Sequence, residues 1–318
     1  MGVSMNLTSA TAPRALVRDA LAGLRAPRKS LNPKWLYDPA GSALFEQITS
    51  LPEYYLTRTE VGILRQHATA LAGLVPEGGA LVEFGSGASV KTRILLDAGP
   101  HMAAYVPIDI SADFLHATAD ALRDRYPALS VQPVVGDFAA DVALPDTIDA
   151  LPKVGFFPGS TIGNITAHEA IALLSRARAW PGIKAFVLGV DLVKDPAMLV
   201  PAYDDAAGVT ARFIGNILVR LNAEAGANFD LSAFAYEAMW NAAAARIEMS
   251  LVARAAQTVS LSGVAIDFVA GERISVSMSR KYTAQSLSEL GKASGWRVAQ
   301  MLSDPEDLFS IAVLEPAD

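Results

Sequence analysis

The sequence contains no cysteine. That excludes disulfides, thiolate metal sites and a cysteine nucleophile together. Histidine is scarce: the 318 residues hold four, His67, His101, His116 and His168. None pairs at metal-ligand spacing, which argues against zinc. Their surroundings read as structural, so no histidine base is indicated. Positive charge is also short, with 26 Lys and Arg against 33 Asp and Glu, a net charge of −7. Nucleic acid demands a dense Lys/Arg surface, and is not an expected partner. The nearest basic group, Arg18, Arg25, Arg28 and Lys29, reads as a solvated helix end. No run of about 18 apolar residues is present, so no membrane span is expected. The stretch Met1–Ala12 is rich in Ser and Thr and lacks the apolar core of a signal peptide. These absences make a cytoplasmic enzyme the default expectation; a monomer acting on a small molecule is expected alongside it.

Apolar residues, by contrast, make up 52% of the chain, enough for a sizeable core and incompatible with disorder. The length suggests about two domains. A first helix is predicted over Pro13–Ala26, with Leu16, Ala20, Leu21 and Leu24 on one face. A second is predicted to open at Thr57, where Thr57 and Glu60 have the spacing of a capping box. After Pro76-Glu77-Gly78-Gly79 short apolar runs alternate with helical stretches. The strand candidates are Ala80–Phe84, Ala104–Ile108, Val131–Val135, Lys153–Phe157 and Lys184–Val190. Helical patterns lie at Ser89–Ala98, Ala112–Tyr126 and Ala167–Ala179, the last with a Thr166/Glu169 capping box. Continuous apolar strands separated by helices predict an α/β fold, a mostly parallel doubly wound sheet covered on both faces.

From Pro196 to Tyr282 the alternation stops. A helical region at Asp205–Glu224 precedes β-rich segments at Arg246–Ala253, Ala265–Ala270 and Ile274–Lys281. A helix at Thr283–Lys292 then leads to Arg297–Ser303 and Leu308–Leu314, which read as an antiparallel hairpin. The predicted organisation is a core of 62–195 plus 283–318, and a second, α+β domain from 13–61 and 196–282.

Leu81-Val82-Glu83-Phe84-Gly85-Ser86-Gly87-Ala88-Ser89 is a strand ending in a Gly-rich turn that opens a helix. Gly85 and Gly87 permit a tight turn and close approach to a ligand, and helix N-terminal amides favour an anion. Asp109 ends the next strand, where doubly wound folds place an acid on ribose hydroxyls. A third strand ends in Gly136-Asp137-Phe138: the carboxylate can accept from an adenine amine and the ring can cover a base. A dinucleotide is disfavoured, because Val90 stands where the third fingerprint glycine would fall.

On these residues the chain resembles the histidine Nα-methyltransferases of ergothioneine biosynthesis, over nearly its whole length. The matching stretches include Pro33-Lys34-Trp35-Leu36-Tyr37-Asp38, Leu51-Pro52-Glu53-Tyr54-Tyr55, Gly159-Ser160-Thr161-Ile162-Gly163-Asn164, Asp191-Leu192-Val193-Lys194-Asp195 and Ala202-Tyr203-Asp204-Asp205-Ala206-Ala207-Gly208. The resemblance implies a class I methyltransferase fold with an inserted substrate domain. It implies S-adenosylmethionine (SAM) as cofactor, held by Gly85, Ser86, Gly87, Lys91, Asp109, Asp137 and Phe138. It implies catalytic roles for Tyr37, Tyr54 and Asn164. For the substrate it implies Tyr54, Gly159, Asn164, Tyr203, Met249, Ser277 and Ser279, with Asn164 and Tyr203 on the amino-acid carboxylate.

One strand departs from the family pattern. Where relatives carry Thr-Glu-x-Ser, this chain reads Val276-Ser277-Met278-Ser279. The family's Glu, which recognises the imidazole, is here Ser277. Glu248 and Glu272 are the acids that could stand in for it. Besides histidine, the expected alternatives are another aromatic amino acid such as tryptophan, or binding without turnover.

Overall fold

A computed structural model of the protein describes residues 11–87 and 89–317, with the backbone alone for 11–13. The residues before 11, and Ala88 of the Gly-rich turn, lie outside the described residues. In chain order the elements are α1 (Thr11–Leu24), α2 (Pro39–Thr49), α3 (Tyr55–Ala72), β1 (Ala80–Phe84), α4 (Val90–Ala98), β2 (Ala104–Asp109) and α5 (Ala112–Arg125). Next come β3 (Ser130–Val131), β4 (Val134–Val135), β5 (Lys153–Phe157), α6 (Ala167–Arg178), β6 (Ile183–Asp191), α7 (Pro196–Leu199) and α8 (Val209–Glu224). The remainder is β7 (Phe234–Asn241), β8 (Arg246–Ala253), β9 (Gln257–Leu261), β10 (Val264–Phe268), β11 (Arg273–Arg280), α9 (Ala284–Ala293), β12 (Trp296–Ser303) and β13 (Phe309–Pro316).

The chain forms two compact units. The first comprises 55–194, 244–246 and 279–318. Its sheet runs β12-β13-β6-β5-β1-β2-β3, with β4 also on β2. β1 pairs in parallel with β2 and β5, and β5 with β6. β13 enters antiparallel between β6 and β12. This mixed α/β sheet has the class I methyltransferase order. β1 and β5 are buried throughout, because helices cover both faces. The core gathers Val82, Phe84, Val106, Phe157, Leu173, Leu188 and Leu314. All of α3 belongs to this unit, where the expected boundary was residue 62. It is one unbroken helix from Tyr55, and it packs on α4 and β13.

The second unit comprises the described chain up to Tyr54, Asp195–Ala243 and Ile247–Met278. It holds a sheet in the order β11-β8-β7 and the hairpin β9-β10. α2 packs on α8, and α1 buries Leu16, Ala20 and Leu24.

Local chemistry accounts for the departures from expectation. The Thr57/Glu60 capping box does not form: α3 already begins at Tyr55, and the Glu60 carboxylate bonds elsewhere. The Thr166/Glu169 box is present. The predicted strand Val131–Val135 is two short pieces flanking Gln132-Pro133, since proline cannot donate to a ladder. The helical region expected from Asp205 starts at Val209 instead. Asp205 caps it, accepting from the Val209 and Thr210 amides at 2.8 and 2.7 Å. Sequence periodicity missed α2, whose N-cap is Asp38, and the strands β7 and β9.

Candidate active site

In the larger unit the proposed cofactor residues stand at the carboxyl ends of adjacent strands, where ligands of doubly wound sheets bind. Gly85 and Gly87 follow β1 with φ of +65° and +48°, a region that costs glycine nothing. The turn is tied to β2 by the Gly87 amide, which donates to Asp109 Oδ2 at 3.1 Å; Oδ1 accepts from the Ser111 amide at 3.0 Å. A Cβ on Gly85 would lie 3.8 Å from the Phe138 ring. That ring meets Phe157 edge to face at 5.1 Å. The Asp137 carboxylate accepts from the Ala139 amide at 2.9 Å. Gly85, Gly87, Asp109 and Phe138 are therefore brought together by short contacts.

The turn also fits a ligand. Ser86 Oγ is buried and, among the described residues, has no hydrogen-bond partner, an arrangement that is costly unless something completes it. Beneath the turn, Glu83 is wholly buried and accepts from Thr92 Oγ1 and from Tyr105 Oη. Burial pushes its carboxyl up to about 7, against those two hydrogen bonds and the Lys91 charge.

Lys91, on the first turn of α4, is also drawn into this edge. Its Nζ lies 2.6 Å from Glu60 Oε2, and 3.2 Å from where a Cβ on Gly159 would stand. Gly159 has φ of +80° and opens the turn that carries Asn164; Ser160 is left-handed too, at +55°. The strained Ser160 is fastened by its Oγ, which accepts from the Asp191 amide at 2.9 Å. Asn164 ends a short 3-10 turn, Thr161–Asn164. Gly163 makes room there, because a Cβ would lie 2.6 Å from the Arg280 carbonyl oxygen. The turn thereby passes beside the end of β11 at Gly163.

Below that turn lies a buried ionic cluster that sequence reasoning missed. Asp191 takes Lys281 at 2.5 Å and Lys194 at 2.6 Å, and the Tyr55 hydroxyl donates to it at 2.8 Å. Lys281 also donates to Ser279 Oγ at 2.8 Å. Ser279 is thus anchored through a charged group.

The smaller unit gathers the other candidates into an aromatic cluster. Tyr37 meets Phe45 and Phe213 edge to face at 5.8 and 5.5 Å. Tyr54 meets Phe45 at 6.5 Å and Tyr203 at 6.1 Å. Edge-to-face geometry suits ring quadrupoles. The Tyr203 carbonyl accepts the Tyr236 hydroxyl, and the Ala206 amide reaches Glu53 Oε1 at 3.4 Å. Tyr37 is so linked to Tyr54 through Phe45, which also meets Phe213, and Tyr54 meets Tyr203 directly; the sequence reading did not single out Phe45 and Phe213. A signal existed: Phe213 falls on the buried face of α8.

Met249 is buried in β8, whereas Ser277 is half-buried in β11. The two acids that could replace the missing Glu are both engaged. Glu272 is paired with Lys29 at 2.6 Å, and Glu248 accepts from Asn241 at 2.9 Å.

A model of the family described as histidine-specific, SAM-dependent methyltransferases matches residues 16–316. A histidine N-alpha-methyltransferase of Mycolicibacterium smegmatis is 43% identical over 96% of this chain and 97% of its own length. One of Mycobacterium tuberculosis is 42% identical over 94% of both chains. Among solved structures, a CurJ carbon methyltransferase covers 98% of this chain and 68% of its own, with 13% identity and a TM-score of 0.47.

Proposed function

We propose, because this chain belongs to the family of histidine-specific, SAM-dependent methyltransferases, that it methylates the α-amine of L-histidine three times, yielding Nα,Nα,Nα-trimethylhistidine for ergothioneine biosynthesis. The observation that carries this reading is the 43% identity to a histidine N-alpha-methyltransferase along practically the whole of both chains. When bound, SAM supplies a methyl group on a positively charged sulfur. Before each of the three transfers the ammonium would shed a proton, so that a lone pair is free to take the methyl group while the carbon–sulfur electron pair stays with sulfur. No covalent enzyme intermediate is needed, so most of the rate comes from holding two molecules as aligned neighbours.

The residues divide that work. The Gly85-Ser86-Gly87 turn receives the cofactor, with the orphaned Ser86 hydroxyl completed by it. Asp109 accepts from ribose hydroxyls, Asp137 and Phe138 take the adenine, and Lys91 takes the cofactor carboxylate. Asn164 and Tyr203 hold the amino-acid carboxylate, with Gly159 opening the Asn164 turn. Tyr37 and Tyr54 bear on the amine. Their faces attract a methylated ammonium, which suits successive transfers. Met249 packs on the substrate ring, and Ser277 and Ser279 face its nitrogens. The enzyme works as a monomer in the cytoplasm with no nucleic-acid or membrane partner, in keeping with its net charge of −7. Incubation with SAM and histidine, followed by mass spectrometry, tests the reading: mono-, di- and trimethylhistidine are expected. Absence of any methylated histidine at every enzyme concentration overturns it.

A further inference from the structure

Glu60 has no part in the roles assigned above, yet it is completely buried, at 0% exposure. A buried carboxylate is costly unless it is paired and hydrogen-bonded. Among the described residues its partners are two. Oε2 holds Lys91 Nζ at 2.6 Å. Both oxygens accept from the Gly159 amide, at 2.8 and 3.0 Å. The strand beneath leaves room for it: a Cβ on Gly189 would stand 2.2 Å from Glu60 Oε1. One carboxylate thus joins the first turn of α4, which carries Lys91, to the turn that carries Gly159 and Asn164.

We propose that Glu60 is a positioning residue: its charge aims Lys91 at the cofactor, and its oxygen fixes the Gly159 turn that presents Asn164. The proposal deepens the reading of the site given above and rests on it. A lysine has a long, mobile stem with a compact charge at its end. Holding that charge in place beforehand removes an ordering cost from cofactor binding. The bond to Gly159 acts on the other ligand, through the backbone of a turn that already has two left-handed residues.

The two roles separate by substitution. E60Q keeps an oxygen for the Gly159 amide but no charge for Lys91, whereas E60A removes both. Binding of S-adenosylhomocysteine, read by calorimetry without any amino acid, should weaken about tenfold in E60Q, the usual scale for a lost charged hydrogen bond. The histidine KM at saturating SAM should stay within about twofold in E60Q but rise about tenfold in E60A, where the turn loses its anchor. K91M should weaken S-adenosylhomocysteine comparably, and E60Q/K91M should be no weaker than K91M alone, because residues in one network are not additive. If E60Q melts too low for calorimetry, E60D serves instead: it draws the charge back by one methylene, and the same weakening is expected. Unchanged affinity in the Glu60 variants, or a double variant weakened by the sum of the singles, overturns the proposal. Failure to methylate histidine would overturn the substrate reading and leave the S-adenosylhomocysteine result standing.

Discussion

Lys281 and Asp191 meet at 2.5 Å with both side chains completely buried. Lys194 shares the same carboxylate and is slightly more open, at 9% side-chain exposure. One carboxylate therefore contacts two cations inside the larger unit. Asp191→Asn removes the carboxylate charge that both lysines contact, and breaking a buried pair on one side costs about 3–5 kcal/mol. Lys194→Met leaves the Asp191–Lys281 pair intact and should cost clearly less. Urea denaturation of both variants checks the order; equal losses would show that the Asp191–Lys281 pair left in Lys194→Met contributes nothing on its own.

Asp109→Ala should weaken SAM binding. Its carboxylate fixes the Gly87 amide and is the proposed ribose acceptor. Loss of one hydrogen bond to a charged group is worth roughly 1.5–3 kcal/mol, or about ten- to a hundredfold in affinity. Calorimetry reads this directly, and an unchanged dissociation constant would mean that the nucleotide site lies elsewhere.

Ser277→Glu should raise kcat/KM for histidine relative to tryptophan. A carboxylate gives an imidazole a charge-assisted hydrogen bond that serine cannot match. The nearby acids cannot substitute, since Glu272 is held by Lys29 and Glu248 by Asn241. Competition between the two amino acids measures the ratio. A ratio that stays level or falls places Ser277 outside the side-chain pocket.

Glu83 predicts a pH dependence of stability. Its ordinary value near 4.5 rises to about 7 through burial. Between those two values the folded chain keeps a proton that the unfolded chain has lost. The contribution is therefore complete below 4.5 and disappears as pH rises through 7, a decline of roughly 3 kcal/mol. Glu83→Gln, which cannot ionise, should flatten the melting temperature across that window. A wild type and variant with parallel profiles would rule Glu83 out as the source.

Much of the larger unit was legible in the sequence, because apolar runs and helical periods report burial directly. Strand β1, its glycine turn and Asp109 could be located from local pattern alone. The smaller unit was harder to read. β7 is mostly half-buried and so lacks a continuous apolar run, and α2 is short and carries an internal glycine. Glu60 was misread for a different reason. Its spacing from Thr57 fits a cap, but its partners Lys91 and Gly159 are remote in sequence and no local pattern points to them. The Asp191 cluster escaped for the same reason, drawing Tyr55, Lys194 and Lys281 from three separate stretches. The aromatic motifs were visible as words, yet the meeting of Tyr37 and Tyr54 on Phe45 needed three dimensions.

The insertion of β13 between β6 and β12 has a consequence for synthesis. β6 pairs with β13 from Asp191 against Phe309 onwards, so its second edge waits until the chain past residue 309 has been made. At about 5–20 residues per second that interval is on the order of ten seconds. Throughout it the nascent chain carries a long, almost wholly apolar strand with one row of amides and carbonyls unpaired, a template for association with other chains. Ribosome-bound chains halted before β13 should accordingly recruit chaperones, and chains halted beyond it should release them.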